Sequence, residues 1–158
     1  MNSAVITPVR HTMTVPLSAE QAFALFTSGF NSWWPQDHIG PADLADVVIE
    51  PRDGGRWYEL GTDGTECDWG AVLAWQPPGR LVLAWQLSPR WEYDPDPAHA
   101  SEIEVRFTET AGQTTVEFEH RCIERHGEGA DSLREQIGSA GGWPAKLAGY
   151  ARAAQAAA

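Results

Sequence analysis

Three side chains in this sequence stand in apolar, strand-like surroundings where they could carry a proton. His120 keeps step with Val116 and Phe118, so its imidazole is expected on the covered face of a strand. His11 keeps step with Met13 and Val15 near the start of the chain. Imidazoles titrate near neutrality, so two of them on neighbouring strands could hold a polar ligand group or move a proton. Each could equally be a core histidine with its hydrogen bonds satisfied. Glu59 shares parity with Trp57, and a carboxylate enclosed in an apolar cavity would titrate high and could act as acid or base. Parity leaves open whether Glu59 or Tyr58 faces inward, because Trp57 and Tyr58 are both large aromatics on opposite faces. None of the three lies in a catalytic motif: there is no nucleotide-binding glycine pattern, no G-x-S-x-G elbow and no HExxH. Whether the chain is an enzyme therefore stays open, with the balance toward a binding protein.

Metal chemistry finds little support. His11, His38, His99, His120 and His126 show no ligand spacing with cysteine or aspartate. His120 and His126 are close in sequence, but a strand running into a loop would not aim both at one metal. No metal and no cofactor are expected.

The unusual feature is eight tryptophans in 158 residues. A core of this size rarely needs so many large side chains whose N–H groups each want an acceptor, so some are expected to line a cavity. The candidate ligand-binding residues are Trp33, Trp34, Trp57, Trp69, Trp85, Trp91 and Trp143, with Phe118 and His120 beside them; simple core packing is the competing role for each. Trp91 and Tyr93 sit on a segment broken by Pro89, Pro95 and Pro97, which suits an exposed aromatic lid.

Charge narrows the partners. Eleven basic against twenty-two acidic residues give a net charge of −11, with no basic cluster to attract a phosphate backbone or an anionic membrane. No apolar run approaches the roughly 20 residues of a membrane helix, and Met1–Val9 lacks the pattern of a secretory leader. A cytoplasmic location follows as the expectation, with Cys67 and Cys122 as reduced thiols.

These residues must be positioned by one domain spanning 1–158, with a core at about 9–154. Val9 to Val15 reads as a strand stopped by Pro16, and Ser18 with Gln21 as a capping box opening a helix with Phe23, Phe26 and Phe30. Strands follow at Val47–Glu50, Arg56–Leu60, Glu66–Gln76 and Arg80–Leu87, then at Ile103–Phe107 and Val116–Cys122 with a turn at Ala111-Gly112. Gly70 within a long strand marks a bulge or bend. Glu102, Glu104, Arg106, Glu117, Glu119 and Arg121 are expected to meet water on the outer face. Asp131 can cap a helix through Leu133 and Ile137. After Gly141-Gly142, Trp143, Leu147, Tyr150, Ala151 and Ala154 form the stripe of a last helix, with an alanine-rich tail expected to fray.

Several short motifs occur in a characteristic order: Ala22-Phe23, Trp33-Trp34-Pro35, the run from Pro51 to Tyr58 (PRDGGRWY), Trp69-Gly70-Ala71-Val72-Leu73, the run from Pro77 to Trp85 (PPGRLVLAW), and Gly142-Trp143 with Leu147. With them the chain resembles the START/polyketide-cyclase (SRPBCC) superfamily, and within it the family of homologues of the activator of heat-shock protein 90 ATPase. The resemblance implies an α+β helix-grip fold: a curved antiparallel sheet of six or seven strands wrapped around a long C-terminal helix, with two short helices after the first strand. It also implies a ligand cavity between helix and sheet. Three functions fit it: a binding protein for an apolar or aromatic small molecule, a cyclase- or lyase-like enzyme doing acid–base chemistry in that pocket, or an interaction module contacting a chaperone. A homodimer is compatible with all three.

Overall fold

Alternation of apolar and polar residues forms strands wherever a turn lets the chain reverse. The computed structural model describes residues 5–158 and holds seven strands; residues 1–4, part of the segment examined for a leader, lie outside it. The strands are β1 (Val9–Val15), β2 (Leu44–Ile49), β3 (Arg56–Gly61), β4 (Glu66–Gln76), β5 (Arg80–Trp85), β6 (Ser101–Thr110) and β7 (Gln113–Arg121). They form one antiparallel sheet in the order β1-β7-β6-β5-β4-β3-β2, a meander whose first strand returns to pair with the last. Two short helices, α1 (Ala19–Phe26) and α2 (Phe30–Trp33), follow β1, and α3 (Ala130–Gly138) and α4 (Trp143–Ala157) close the chain. The curved sheet wrapped on α4 is the helix-grip architecture.

An antiparallel sheet with one apolar face must cover it with helices. Here α4 buries Trp143, Leu147, Tyr150 and Ala154 against the sheet and the first helices. The Tyr150 hydroxyl donates to the Ala22 carbonyl at 2.8 Å, tying α4 to α1 inside the core. The Ser18–Gln21 capping box forms reciprocally. The Ala111-Gly112 turn places both residues at positive φ, 53° and 81°, as a tight hairpin between β6 and β7 requires.

Curvature comes from register shifts between β3 and β4 at Trp57/Tyr58 and between β4 and β5 at Val72/Ala74. Gly70 lies between them, opposite Trp57 and Trp85, where a β-carbon would stand 1.8 Å from the Ala84 carbonyl oxygen. Only glycine lets β4 bend this close to β5.

Several sequence expectations need correcting. β2 begins at Leu44, and β5 stops at Trp85, with Leu87 joined only by a bridge to Tyr93. Cys122 lies outside β7 in a left-handed conformation, where the chain turns into a short 3-10 segment at Ile123–His126. Asp131 sits in the first turn of α3; the capping position is Gly129. The alanine tail stays helical to Ala157. Glu104 does not meet water: it is buried on the outer face beneath Arg80 and Arg121 of the neighbouring strands and Arg106 of its own, which together neutralise it. Cys67 and Cys122 are both free thiols. Among the described residues no helix is long and apolar enough to cross a membrane.

Gly70→Ala should destabilise the fold by about 3 kcal/mol or more, the upper end of overpacking costs, read as a lowered urea midpoint. Wild-type stability in that variant would contradict the close approach.

Candidate functional site

Five of the eight tryptophans meet around one pocket at the N-terminal end of α4. Trp69 comes from β4, Trp85 from the end of β5, Trp143 from the first turn of α4, Trp34 from the end of α2, and Trp91 from the loop between β5 and β6. Their rings touch in sequence: Trp69 to Trp34 at 5.4 Å between centroids, Trp34 to Trp143 at 6.1 Å, Trp143 to Trp85 at 5.9 Å and Trp85 to Trp91 at 6.1 Å. Ile39, Leu87 and Ile137 fill the walls between them, and Asp37, His38 and Lys146 supply the polar groups. The pocket is open on one side and its volume is about 90 Å³.

Each of these indoles donates its N–H to a protein acceptor. Trp34 donates to the Asp37 carbonyl at 2.9 Å and Trp85 to the Leu87 carbonyl at 3.1 Å. Trp69 donates to Glu59 Oε1 at 2.9 Å, Trp143 to His120 Nδ1 at 3.0 Å, and Trp91 to Gln136 Oε1 at 3.2 Å. With every donor committed, the rings can present only apolar surface and π-faces to an occupant.

Glu59 faces inward, 1% exposed, and the parity question resolves in its favour; Tyr58 turns the other way beneath the Arg56 guanidinium, 4.0 Å from its ring. The carboxylate accepts from the Ile39 N–H at 2.6 Å and the Gly40 N–H at 3.0 Å as well as from Trp69. Three N–H donors occupy it, so it holds the 39–40 loop against β3 and does not line the pocket.

His120 also lies behind the pocket, fully buried. An indole N–H can only donate, so His120 Nδ1 is the unprotonated nitrogen and Nε2 carries the hydrogen. Nε2–H then donates to Ser101 Oγ at 2.7 Å, and the Ser101 hydroxyl donates to His126 Nε2 at 2.8 Å. The chain Trp143–His120–Ser101–His126 is thereby satisfied with both imidazoles neutral. Burial, then the neighbouring His126 and Arg134, pushes His120 down to about 3. Burial likewise lowers His126 to about 4, against the opposing pull of Asp94. The two histidines do converge, on a serine hydroxyl, and among the described residues no group of three or more His, Cys, Asp or Glu is placed to hold a metal.

The remaining candidates fall outside the lining. His11 is half-buried on β1 opposite Phe118. Trp33 packs on Phe26, Phe30 and Tyr150, and Phe118 on Trp143 at 4.6 Å. Trp57 lies beneath Trp69 and Trp85; its Nε1 is a buried side-chain donor without a partner among the described residues.

Sequence reasoning missed Asp37, His38, Ile39, Leu87, Ile137, Gly142 and Lys146 as lining residues. Lys146 left a readable trace, being the only lysine in the chain and three residues beyond Trp143 on one helix face. Its ammonium pairs with Asp37 Oδ2 at 3.3 Å and lies 5.2 Å from the Trp34 ring centroid. His38 Nδ1 lies 3.0 Å from the Gly40 carbonyl, which can only accept, so its Nε2 keeps the lone pair. A second groove, about 330 Å³, runs beside Phe23, Trp75 and Pro78 at the other end of the sheet.

Residues 16–153 match the family described as Activator of Hsp90 ATPase homolog 1-like protein. Among solved structures, the chain is 38% identical to the anthrahydroquino-γ-pyrone synthase Txn09, covering 96% of this chain and 99% of that one with a TM-score of 0.67. It is 31% identical to the self-sacrificing resistance protein CalC from Micromonospora echinospora, covering 93% of each chain with a TM-score of 0.65. The Aha1 dimer from Colwellia psychrerythraea, at 17% identity, 95% and 97% coverage and a TM-score of 0.64, shares the fold. No curated protein matches the chain.

The neutral histidine pair makes stability depend on pH. Both folded values lie below the usual 6.5, so between about pH 6.5 and 4.5 the unfolded chain binds up to two protons that the native chain refuses, and stability falls as pH falls. His99, raised by Asp94, works weakly in the opposite sense at the surface. The urea midpoint should drop across this window, with a shallower slope in His126→Gln. A flat wild-type profile would contradict the neutral pair.

Proposed function

The chain belongs to the Activator of Hsp90 ATPase homolog 1-like family, and we propose that it binds a flat, polycyclic aromatic small molecule in the five-tryptophan pocket. The observation that carries this reading is the commitment of all five indole N–H groups to protein acceptors, which leaves apolar ring faces suited to stacking. The 38%-identical synthase, whose name describes a fused polycyclic product, supports the same ligand class.

At about 90 Å³ the pocket is smaller than the roughly 300–1,000 Å³ of ordinary ligand sites. Trp91 is the one exposed tryptophan among the walls. It is 39% exposed, lies on the loop between β5 and β6, and its indole is held to α3 by the hydrogen bond to Gln136. On this reading it swings outward to admit a ring system and closes over it.

A second reading, acid–base catalysis on the bound ligand, draws on the synthase likeness and on His38, whose Nε2 lone pair belongs to a residue lining the pocket. It assigns the proton-accepting role to His38, since His120 and Glu59 have their polar atoms engaged behind the pocket. A chaperone contact draws on the family description alone.

Protein purified from its native host under non-denaturing conditions should carry an aromatic compound of a few hundred daltons, detected by native mass spectrometry. Trp91→Ala should retain less of it. A ligand-free protein whose tryptophan fluorescence is not quenched by N-phenyl-1-naphthylamine would contradict the binding reading. Loss of turnover in His38→Gln with binding intact would favour the catalytic one.

A further inference from the structure

The pocket contains one lysine, and its surroundings specify what the aromatic ligand carries. Lys146 is the chain's sole lysine in a protein of net charge −11. Its side chain is 15% exposed, flanked by Trp34 and Trp143. An ammonium withdrawn this far from water needs an anionic partner, because desolvation otherwise disfavours its charge. The partner it has is a rim residue: Asp37 is 65% exposed and reaches Nζ at 3.3 Å from the loop after α2. So exposed a carboxylate loses little by returning to water. The other titratable side chain lining the pocket, His38, has Nδ1 engaged with the Gly40 carbonyl.

Filling the pocket with a ring system removes the water that still solvates Lys146. An occupant offering no negative charge leaves the ammonium dependent on Asp37, at the edge of a site that has become drier. One bearing an acidic oxygen satisfies it from inside. The local field favours the same sign of charge: the pocket abuts the first turn of α4, whose capping residue Gly142 supplies no side-chain acceptor to the free N–H groups.

Building on the aromatic-ligand reading, we propose that the natural ligand is an aromatic anion, an ionised phenol, enol or carboxylate, whose oxygen displaces Asp37 from Lys146 while its rings lie against the tryptophan walls. Lys146 then selects ionised over neutral ring systems of the same shape, and Asp37 is the anion that the ligand replaces.

The test uses two probes that share a scaffold and differ in charge, 8-anilinonaphthalene-1-sulfonate and N-phenyl-1-naphthylamine, with binding followed by fluorescence enhancement. Lys146→Met should weaken the sulfonate probe about tenfold or more and change the neutral one less than twofold. Asp37→Asn should strengthen the sulfonate probe several-fold and leave the neutral one unchanged. Circular dichroism checks folding, and Lys146→Gln replaces the Met variant should that fail to fold. Equal losses for both probes would make Lys146 a wall residue and overturn the inference, as would a sulfonate affinity indifferent to Lys146 and Asp37. In either case, neutral-probe binding that is lost in Trp85→Ala leaves the pocket standing. Absence of wild-type binding by both probes overturns pocket and inference together.

Discussion

A buried indole has one N–H and nowhere in an apolar core to put it, and much of this structure follows from how that requirement is met. Leaving such a donor unpaired costs on the order of 1–3 kcal/mol. The five tryptophans around the pocket, four of them buried, would therefore be a liability unless they found acceptors. They find them in two backbone carbonyls, a carboxylate, an imidazole and a side-chain amide. The bonds of Trp34, Trp69, Trp85 and Trp143 fix their ring planes and turn their polar edges away from the cavity. The result is a box whose walls are held in place from behind.

The polar residues behind those walls acquire their character from this task. Glu59 and His120 have the marks of catalytic groups: both are buried, titratable and close to a cavity. Their hydrogen bonds place them otherwise. Glu59 gathers Trp69 and two amides of the 39–40 loop, coupling β3 to the segment that carries Asp37 and His38. His120 accepts from Trp143, which fixes its tautomer and hands the remaining proton to Ser101 and on to His126. A neutral imidazole is required at each end of that serine, so burial that depresses both histidines serves the network instead of opposing it. The polar side chains that line the pocket are instead Lys146, Asp37 and His38.

How far the sequence could be read follows from the range of the interactions involved. The strands, the capping box and the stripe of the last helix are local patterns of period 2 or 3.6, and they were legible. So were Trp34, Trp69, Trp85, Trp91 and Trp143 as a group, through the sheer excess of tryptophan. The exclusion of Trp33 and Trp57 was not, because which ring reaches the cavity depends on bulges that shift register at Trp57/Tyr58 and Val72/Ala74. The same shift hid the facing of Glu59. Glu104 looked solvated because alternation counts only its own strand, whereas Arg80 and Arg121 reach over it from the strands on either side, with Arg106 of its own strand beside them. Asp37, His38 and Ile39 sit in a loop without periodicity, placed by a carboxylate some twenty residues later.

The account turns on which tryptophans meet the ligand, and the indole N–H signals report on that directly. In a ¹H–¹⁵N spectrum titrated with N-phenyl-1-naphthylamine, the indole signals of Trp34, Trp69, Trp85, Trp91 and Trp143 should shift, that of Trp91 most, while Trp33 and Trp75 stay in place. Shifts concentrated on Trp75 would put the ligand in the groove beside Phe23 and Pro78, and would contradict the account.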